Sequence, residues 1–290
     1  MRASFVALVL AATPLAAEPQ LEHLSTFVWD RPEDYFGGWS AIEVLDDGNA
    51  FIAIGDNAQI YKGKFARQDD TIFDVVWAPV GALKDTNGEA FFAKQIDHIG
   101  DSEGIAAFPD GHFAVSFERF PRIILYDDIG AIDRIDLPRE ASSLHENGGV
   151  EALAVDSAGR LIAIPETVPK GAPGFPVWRE TGNSWDTIGH LSRSQGFRPV
   201  GADIGPDGRL YILERAFHII GFQNRIRVVL PDNIDPMGEL IWTSSLRAFD
   251  NLEGLSVWTD SAGLIRLTMI SDDNNLAIQE TQIVEFRLTP

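Results

Sequence analysis

Short runs of alternating apolar and polar residues recur along this chain, each folded back on itself at an Asp-Gly or Ala-Gly pair. One copy reads EGIAAFPDGHFAVSFER (103–119), the next EALAVDSAGRLIAIPET (151–167), a third VGADIGPDGRLYILER (200–215). A fourth, EGLSVWTDSAGLIRLTMISDD, covers 253–273, and a degenerate first copy, SAIEVLDDGNAFIAIGD, covers 40–56. Period-two alternation on both sides of such a turn predicts a β-hairpin. The turn glycines at 48, 111, 159, 208 and 263 are spaced by 63, 48, 49 and 55 residues. Repeats of that length point to a propeller or a solenoid.

Further strands follow each hairpin. QIYKGKF and TIFDVVWAPV follow the copy at 40–56, RIILYDD and AIDRIDL the copy at 103–119, NRIRVVL and ELIWTSS the copy at 200–215. Four antiparallel strands in about 50 residues make one propeller blade. The last repeat has only three strands, ending with TQIVEFRL, whereas LEHLSTFVW (21–29) belongs to no repeat. That orphan strand is expected to complete the last blade and remove an open sheet edge. The reading is an all-β chain, a single closed β-propeller over 18–290, with five blades visible. Six are possible if the excess segment 82–100 forms a degenerate blade. TVPKGAPGFP (167–176) is too rich in Pro and Gly to pair as a strand and reads as a loop.

Charge narrows the partners. With 43 acidic and 23 basic residues the chain carries a net charge of -20, which argues against nucleic acid and anionic membrane surfaces. MRASFVALVLAATPLAA (1–17) has an early Arg, an apolar run too short to span a bilayer, and small residues at its end. This predicts a secretory signal cut near Ala17, hence a periplasmic or secreted protein; a monomer that takes a small-molecule substrate or ligand is expected. There are no cysteines, so disulfides and thiolate chemistry are absent.

The candidate chemistry is carboxylate. The first strand of a hairpin starts, and the second ends, at the same end of the pair. Strand starts carry Glu103, Glu151 and Glu253, with Asp203 nearby in the third copy; strand ends carry Asp56, Glu118, Glu166, Glu214 and Asp272. If the first strand lines the axis, these acids meet at one mouth, where they need protons, arginines or a metal to coexist. An oxygen-only donor set suits Ca²⁺ before Mg²⁺. The alternative is that the acids accept backbone and arginine hydrogen bonds at blade junctions. Arg119 and Arg215 follow Glu118 and Glu214 and either pair with a neighbouring blade or bind an anionic substrate. Gly100–Gly104 matches GxSxG, but that motif needs a strand–turn–helix, and here it opens a hairpin. Ser102 is therefore not taken as a nucleophile, nor His98 and His145 as its partners. The seven tryptophans are expected to pack blades together.

The segments DSEGIAAFPDGHFAVSFER, NGGVEALAVDSAGRLIAIPE, ADIGPDGRLYILER and EGLSVWTDSAGLIRLTMISDDNNLAIQETQIVEF resemble the phytase-like family, known as "esterase-like activity of phytase". The resemblance runs from about Gly37 to Leu288 and rests most on LER and the SDDN segment, where SDDNNLAIQET lacks the aromatic expected after SDDN. It implies an extracytoplasmic propeller and hydrolysis of phosphate or carboxylic esters. The lysine-rich phosphate cleft of calcium-dependent propeller phytases has no counterpart here. Three readings stand: a metal-dependent hydrolase with Glu103 or Glu151 as general base, a lactonase-like hydrolase, and a non-catalytic propeller that binds a ligand or protein. An Arg or Lys pair facing a metal would favour phosphate. An apolar collar would favour esters or lactones, and a mouth filled by its own side chains the binding module.

Overall fold

In a computed structural model the chain is described at residues 20–33, 36–91, 99–144, 148–182, 184–276 and 278–289. Five four-stranded antiparallel sheets are formed. Blade one is β2 (Trp39–Leu45), β3 (Ala50–Gly55), β4 (Gln59–Gln68) and β5 (Thr71–Ala82). Blade two is β6 (Ser102–Ala107), β7 (Phe113–Phe117), β8 (Arg122–Tyr126) and β9 (Ala131–Asp136). Blade three is β10 (Val150–Val155), β11 (Leu161–Pro165), β12 (Phe175–Glu180) and β13 (Trp185–Leu191). Blade four is β14 (Arg198–Ile204), β15 (Leu210–His218), β16 (Gly221–Val229) and β17 (Glu239–Thr243). In blade five β18 (Asn251–Thr259), β19 (Ile265–Asp272) and β20 (Gln282–Thr289) are completed by β1 (Gln20–Val28), which pairs with β20 from Gln20↔Thr289 to Val28↔Gln282.

The orphan strand thus closes the ring, as its pattern requires. Most of 82–100 lies outside the five sheets, and 92–98 lies outside the described residues, as do the leader 1–17, His98 and His145. The expected turns form as well: Gly208 has φ +75° after Asp207, a conformation that only glycine adopts freely.

The closure joint is the most heavily built part of the ring. Trp29, just past β1, stacks on Trp39 of blade one at 4.8 Å, with Phe36 and Trp77 edge-on to both. Arg67 of β4 reaches the fully buried Glu285 of β20 through two bonds of 2.6 and 2.7 Å, and Arg266 adds a third at 3.1 Å. A bidentate pair out of water is both strong and directional, so it fixes how blade one meets blade five. Trp178 is also fully buried, which fits blade packing rather than ligand stacking.

Candidate functional site

The inner strand of every blade is broken at the same place. Pairing between the first and second strands skips Ser40, Glu103 with Gly104, Glu151, Val200 and Glu253 in blades one to five. A β-bulge leaves its extra residue out of the ladder and re-aims its side chain. Three of the five bulges hold glutamate. Small residues beside them let inner strands approach: a Cβ on Gly104 or Gly201 would lie 2.5 Å from the carbonyl oxygen of Glu151 or Glu253 on the next blade.

The second strands end beside these bulges. Register places Asp56, Glu118, Glu166, Arg215 and Asp272 one step beyond the equivalent pairs Trp39–Gly55, Ser102–Phe117, Val150–Pro165, Pro199–Glu214 and Leu252–Ser271. The mouth is therefore ringed by four acids and one arginine, above three bulge glutamates. Arg215 bonds Glu253 and Asn251 (2.7 Å to the latter) and lies 3.7 Å from Glu166, which Arg198 also reaches at 3.2 Å. Asn251 donates to Glu253 at 2.9 Å.

The electrostatics confirm that these groups face one another. Burial, then the charges of Glu253, Glu118, Asp101 and Glu166, raise Glu103 well above the ordinary glutamate value. Burial and Glu166 raise Glu151, against the pull of Arg215. Glu253 is raised by burial although Arg215 opposes it. Desolvation at the mouth, then the charges of Asp101 and Glu253, push Asp56 up to about 6, although part of its side chain reaches solvent. Burial, then Asp101 and Glu166, pushes Glu118 to about 7; burial followed by Glu253 pushes Asp272 to about 8. Such values give a carboxyl both a proton to donate and a free form to accept one near neutrality.

Two expected members lie elsewhere. Glu214 sits one residue before the ring position, so its side chain takes the opposite face of β15. There it is fully buried and held by Arg225 and Arg227. Arg215 takes its place in the ring. Asp203 lies three residues deeper than the bulge, level with Glu43 and Ser256. In that tier each side chain accepts a backbone N–H from the next blade: Asp203 from Val257 (2.6 Å), Ser256 from Val44 (3.0 Å), Glu43 from Ala107 (3.1 Å). Asp203 is pushed to about 7 by burial, and Glu43 is raised by burial and the charge of Asp203. This tier sews blades four, five and one to their neighbours; Glu43, not singled out in the sequence, is its central member. Arg119 stays at the rim, 3.7 Å from Asp101. Ser102 is fully buried, donates to Gly55 at 2.6 Å and accepts from Ala58 at 3.1 Å, which makes it a seam between blades one and two.

The donor chemistry of the ring suits a hard cation. Among the described residues, however, no group of three acids is drawn together closely enough to hold a metal ion as the side chains stand. Arg215 and the Asn251 amide meet part of the acids' charge, at Glu253.

The mouth face is also apolar at its edge. Polarity puts the loops after β7, β15 and β19 on this face. They carry Phe120, Ile219, Ile220, Leu276 and Ile278, with Ile219 98% and Ile278 91% exposed. The β15–β16 hairpin runs past Arg215 to a tip at Ile219–Ile220, carrying the 71% exposed Phe217 beyond the ring.

A family model described as phytase-like, esterase-like activity of phytase, matches residues 34–275. The chain belongs to that family. No curated protein matches it. Among solved structures, one similar chain is a protein of unknown function from Dyadobacter fermentans DSM 18053, at 12% identity and TM-score 0.49, over 90% of this chain and 78% of that one. Another is described as a "putative gluconolactonase", at 13% identity and TM-score 0.45, over 94% and 93% of the two chains. No helix of the described residues is long and apolar enough to cross a membrane.

Proposed function

We propose that this phytase-like propeller is an ester hydrolase whose reaction centre is the carboxylate ring, working with a bound Ca²⁺. The observation that carries the proposal is a set of acids at one open mouth, Asp56, Glu118 and Asp272, pushed up to about 6, 7 and 8. Titratable groups perturbed in this way by burial and each other's charge are a mark of reaction centres. In its ionised form a ring carboxylate, with Glu103, Glu118 and Glu151 as candidates, takes a proton from water as the water oxygen adds to the ester carbon. The resulting carboxylic acid returns that proton to the leaving alkoxide as the C–O bond breaks. Arg215 holds Glu253 and Glu166 in place beside them. As the side chains stand, Glu103, Glu151 and Glu253 are not close enough together to ligate a cation; drawn together, they would hold Ca²⁺, whose charge would polarise the ester.

The apolar edge favours carboxylic esters or lactones over phosphate esters. A phosphate dianion would meet the acids directly, and Arg215, the one cation in the ring, is already engaged by Glu253, Asn251 and Glu166. The same apolar edge would also fit a protein loop, which supports the second reading, a non-catalytic binding propeller. The signal-like pattern of 1–17 supports export to the periplasm or medium. A panel of carboxylic and phosphate esters, assayed with purified protein in EDTA and in Ca²⁺, tests the proposal. Turnover of carboxylic esters that needs Ca²⁺ supports it; no turnover, with no calcium-dependent change in melting, leaves the binding module.

A further inference from the structure

Beside the ring, between blades three and four, lies a cleft of about 390 Å³. It opens onto the mouth, because Glu166 and Arg198 belong to both. Its walls are Val168, Phe175 and Phe197, and its edge is the turn Ser194–Phe197, with Gln195 and Gly196 both at positive φ. Successive left-handed residues are what a tight two-residue hairpin turn requires, so the turn is held rigidly and Arg193 projects from its base.

The cleft gathers arginine in a chain with 43 acidic and 23 basic residues. Arg193 lines it, is exposed, and forms no hydrogen bond or ion pair with a described residue. Arg198 lines it too and is engaged by a single bond to Glu166 at 3.2 Å. Behind the wall, Arg225 lies over the Phe197 ring at 4.0 Å and donates to the Ser194 hydroxyl at 3.3 Å, and its Nη2 is buried without a partner. Elsewhere at the mouth the arginines are consumed by acids. Here guanidinium capacity is left over, next to apolar walls of a size that holds a small ligand.

We propose that this cleft is a subsite for an anionic group, a carboxylate or a phosphate, carried by the substrate some atoms away from the bond that is cut. Arg193 makes the principal contact, since a guanidinium fork matches either anion. Phe175 and Phe197 flank the chain that joins the anion to the ester. The inference rests on the hydrolase reading for its substrate and extends it: the preferred ester is an acidic one, a half-ester of a dicarboxylic acid or an ester that bears a remote phosphate.

The test has a binding arm and a kinetic arm, both on the whole protein. In the first, succinate and inorganic phosphate are titrated calorimetrically into wild type and Arg193→Ala. Saturable binding of one or both is expected, weakened about tenfold or more by the substitution, and the stronger anion identifies the group. In the second, the preference for 4-nitrophenyl hemisuccinate over the neutral 4-nitrophenyl butyrate is compared in the two proteins, and a fall of at least about fivefold is expected. Arg193 is exposed and forms no hydrogen bond or ion pair with a described residue, so the variant should keep the wild-type melting temperature; Arg193→Glu should abolish anion binding altogether. Anion binding that depends on Arg193 without hydrolysis of either ester would keep the subsite and remove the hydrolase. Absence of saturable binding, or equal binding by wild type and Arg193→Ala, would overturn the subsite whatever the esters do.

Discussion

Replacing Arg215 by Met keeps the apolar stem of the side chain and removes the only cation in the ring. Glu253 and Glu166 then lose their shared partner, and Glu151 loses the charge that opposes its neighbours. The Arg215 and Glu253 side chains are 15% and 18% exposed, so the pair is largely out of water. Removing one member of a buried pair costs about 3–5 kcal/mol; with partial solvent access the lower end, about 3 kcal/mol, applies. For a chain of this size that is a loss of roughly 6–12 °C in Tm. The loss should be full at pH 8, where the acids must carry charge. It should shrink at pH 5, where they accept protons and no longer need the arginine. Thermal unfolding followed by circular dichroism at both pH values measures it. Arg287→Met is the control, because its partner Glu22 is 55% exposed at 3.5 Å and the pair contributes under about 1 kcal/mol. A loss for Arg215→Met no larger than the control, or one equal at both pH values, would refute the argument that Arg215 neutralises the mouth.

Four further outcomes follow from the same geometry. Asp56, Glu118 and Asp272 have folded-state values of about 6, 7 and 8, each above the unfolded one, so the native state binds the extra protons and wild-type stability should fall as pH rises from 5 through 8; a stability that rises over that range in calcium-free buffer contradicts the assignment. Burial favours the protonated form of Glu103, Glu151 and Glu253, so Ca²⁺ bound there would compete with protons and stabilise more at pH 8 than at pH 5, by about 2.7 kcal/mol at a hundred times its Kd, and EDTA should reverse it. Ser102→Ala should cost about 1–3 kcal/mol by leaving Ala58 N–H and Gly55 C=O short of a partner, yet keep ester turnover; loss of activity in a folded Ser102→Ala protein would reinstate the serine. Glu285→Leu should lower stability by about 3–5 kcal/mol by stranding Arg67 and Arg266 at the closure, and urea unfolding with no change in midpoint would show that the ring closes without that latch.

The ring of blades was legible because each hairpin carries its own turn signal and the first strand has no partner of its own in the sequence. The acids were legible only as far as register could be counted. Glu118 and Glu166 stand seven residues past their turn glycines, Gly111 and Gly159; so does Arg215 past Gly208, whereas Glu214 stands six. The shared Glu-Arg pair in FER and LER hides that offset, and one residue of slip turns a side chain to the other face. The bulges are not written in any single copy, since a bulge is a mismatch between two strands. Its trace is a glutamate followed by Gly or Ala at 103, 151 and 253. Asp203 was misplaced because the third copy has valine at the bulge and its acid three residues further on. The cleft beside Glu166 could not be read at all: Arg193 and Phe197 belong to one blade junction and Phe175 to another strand, brought together only by the ring.

The central claim is that the carboxylate ring performs ester hydrolysis, and one comparison tests it most directly. Purified wild type, Glu103→Gln, Glu118→Gln and Glu151→Gln are assayed on the same carboxylic ester in Ca²⁺, with melting temperatures recorded alongside. Glutamine keeps the shape and removes the proton chemistry, so the variants should remain folded while turnover falls about 10²–10⁴-fold in at least one of them. Wild-type turnover retained by all three folded variants would place the chemistry elsewhere and contradict the account.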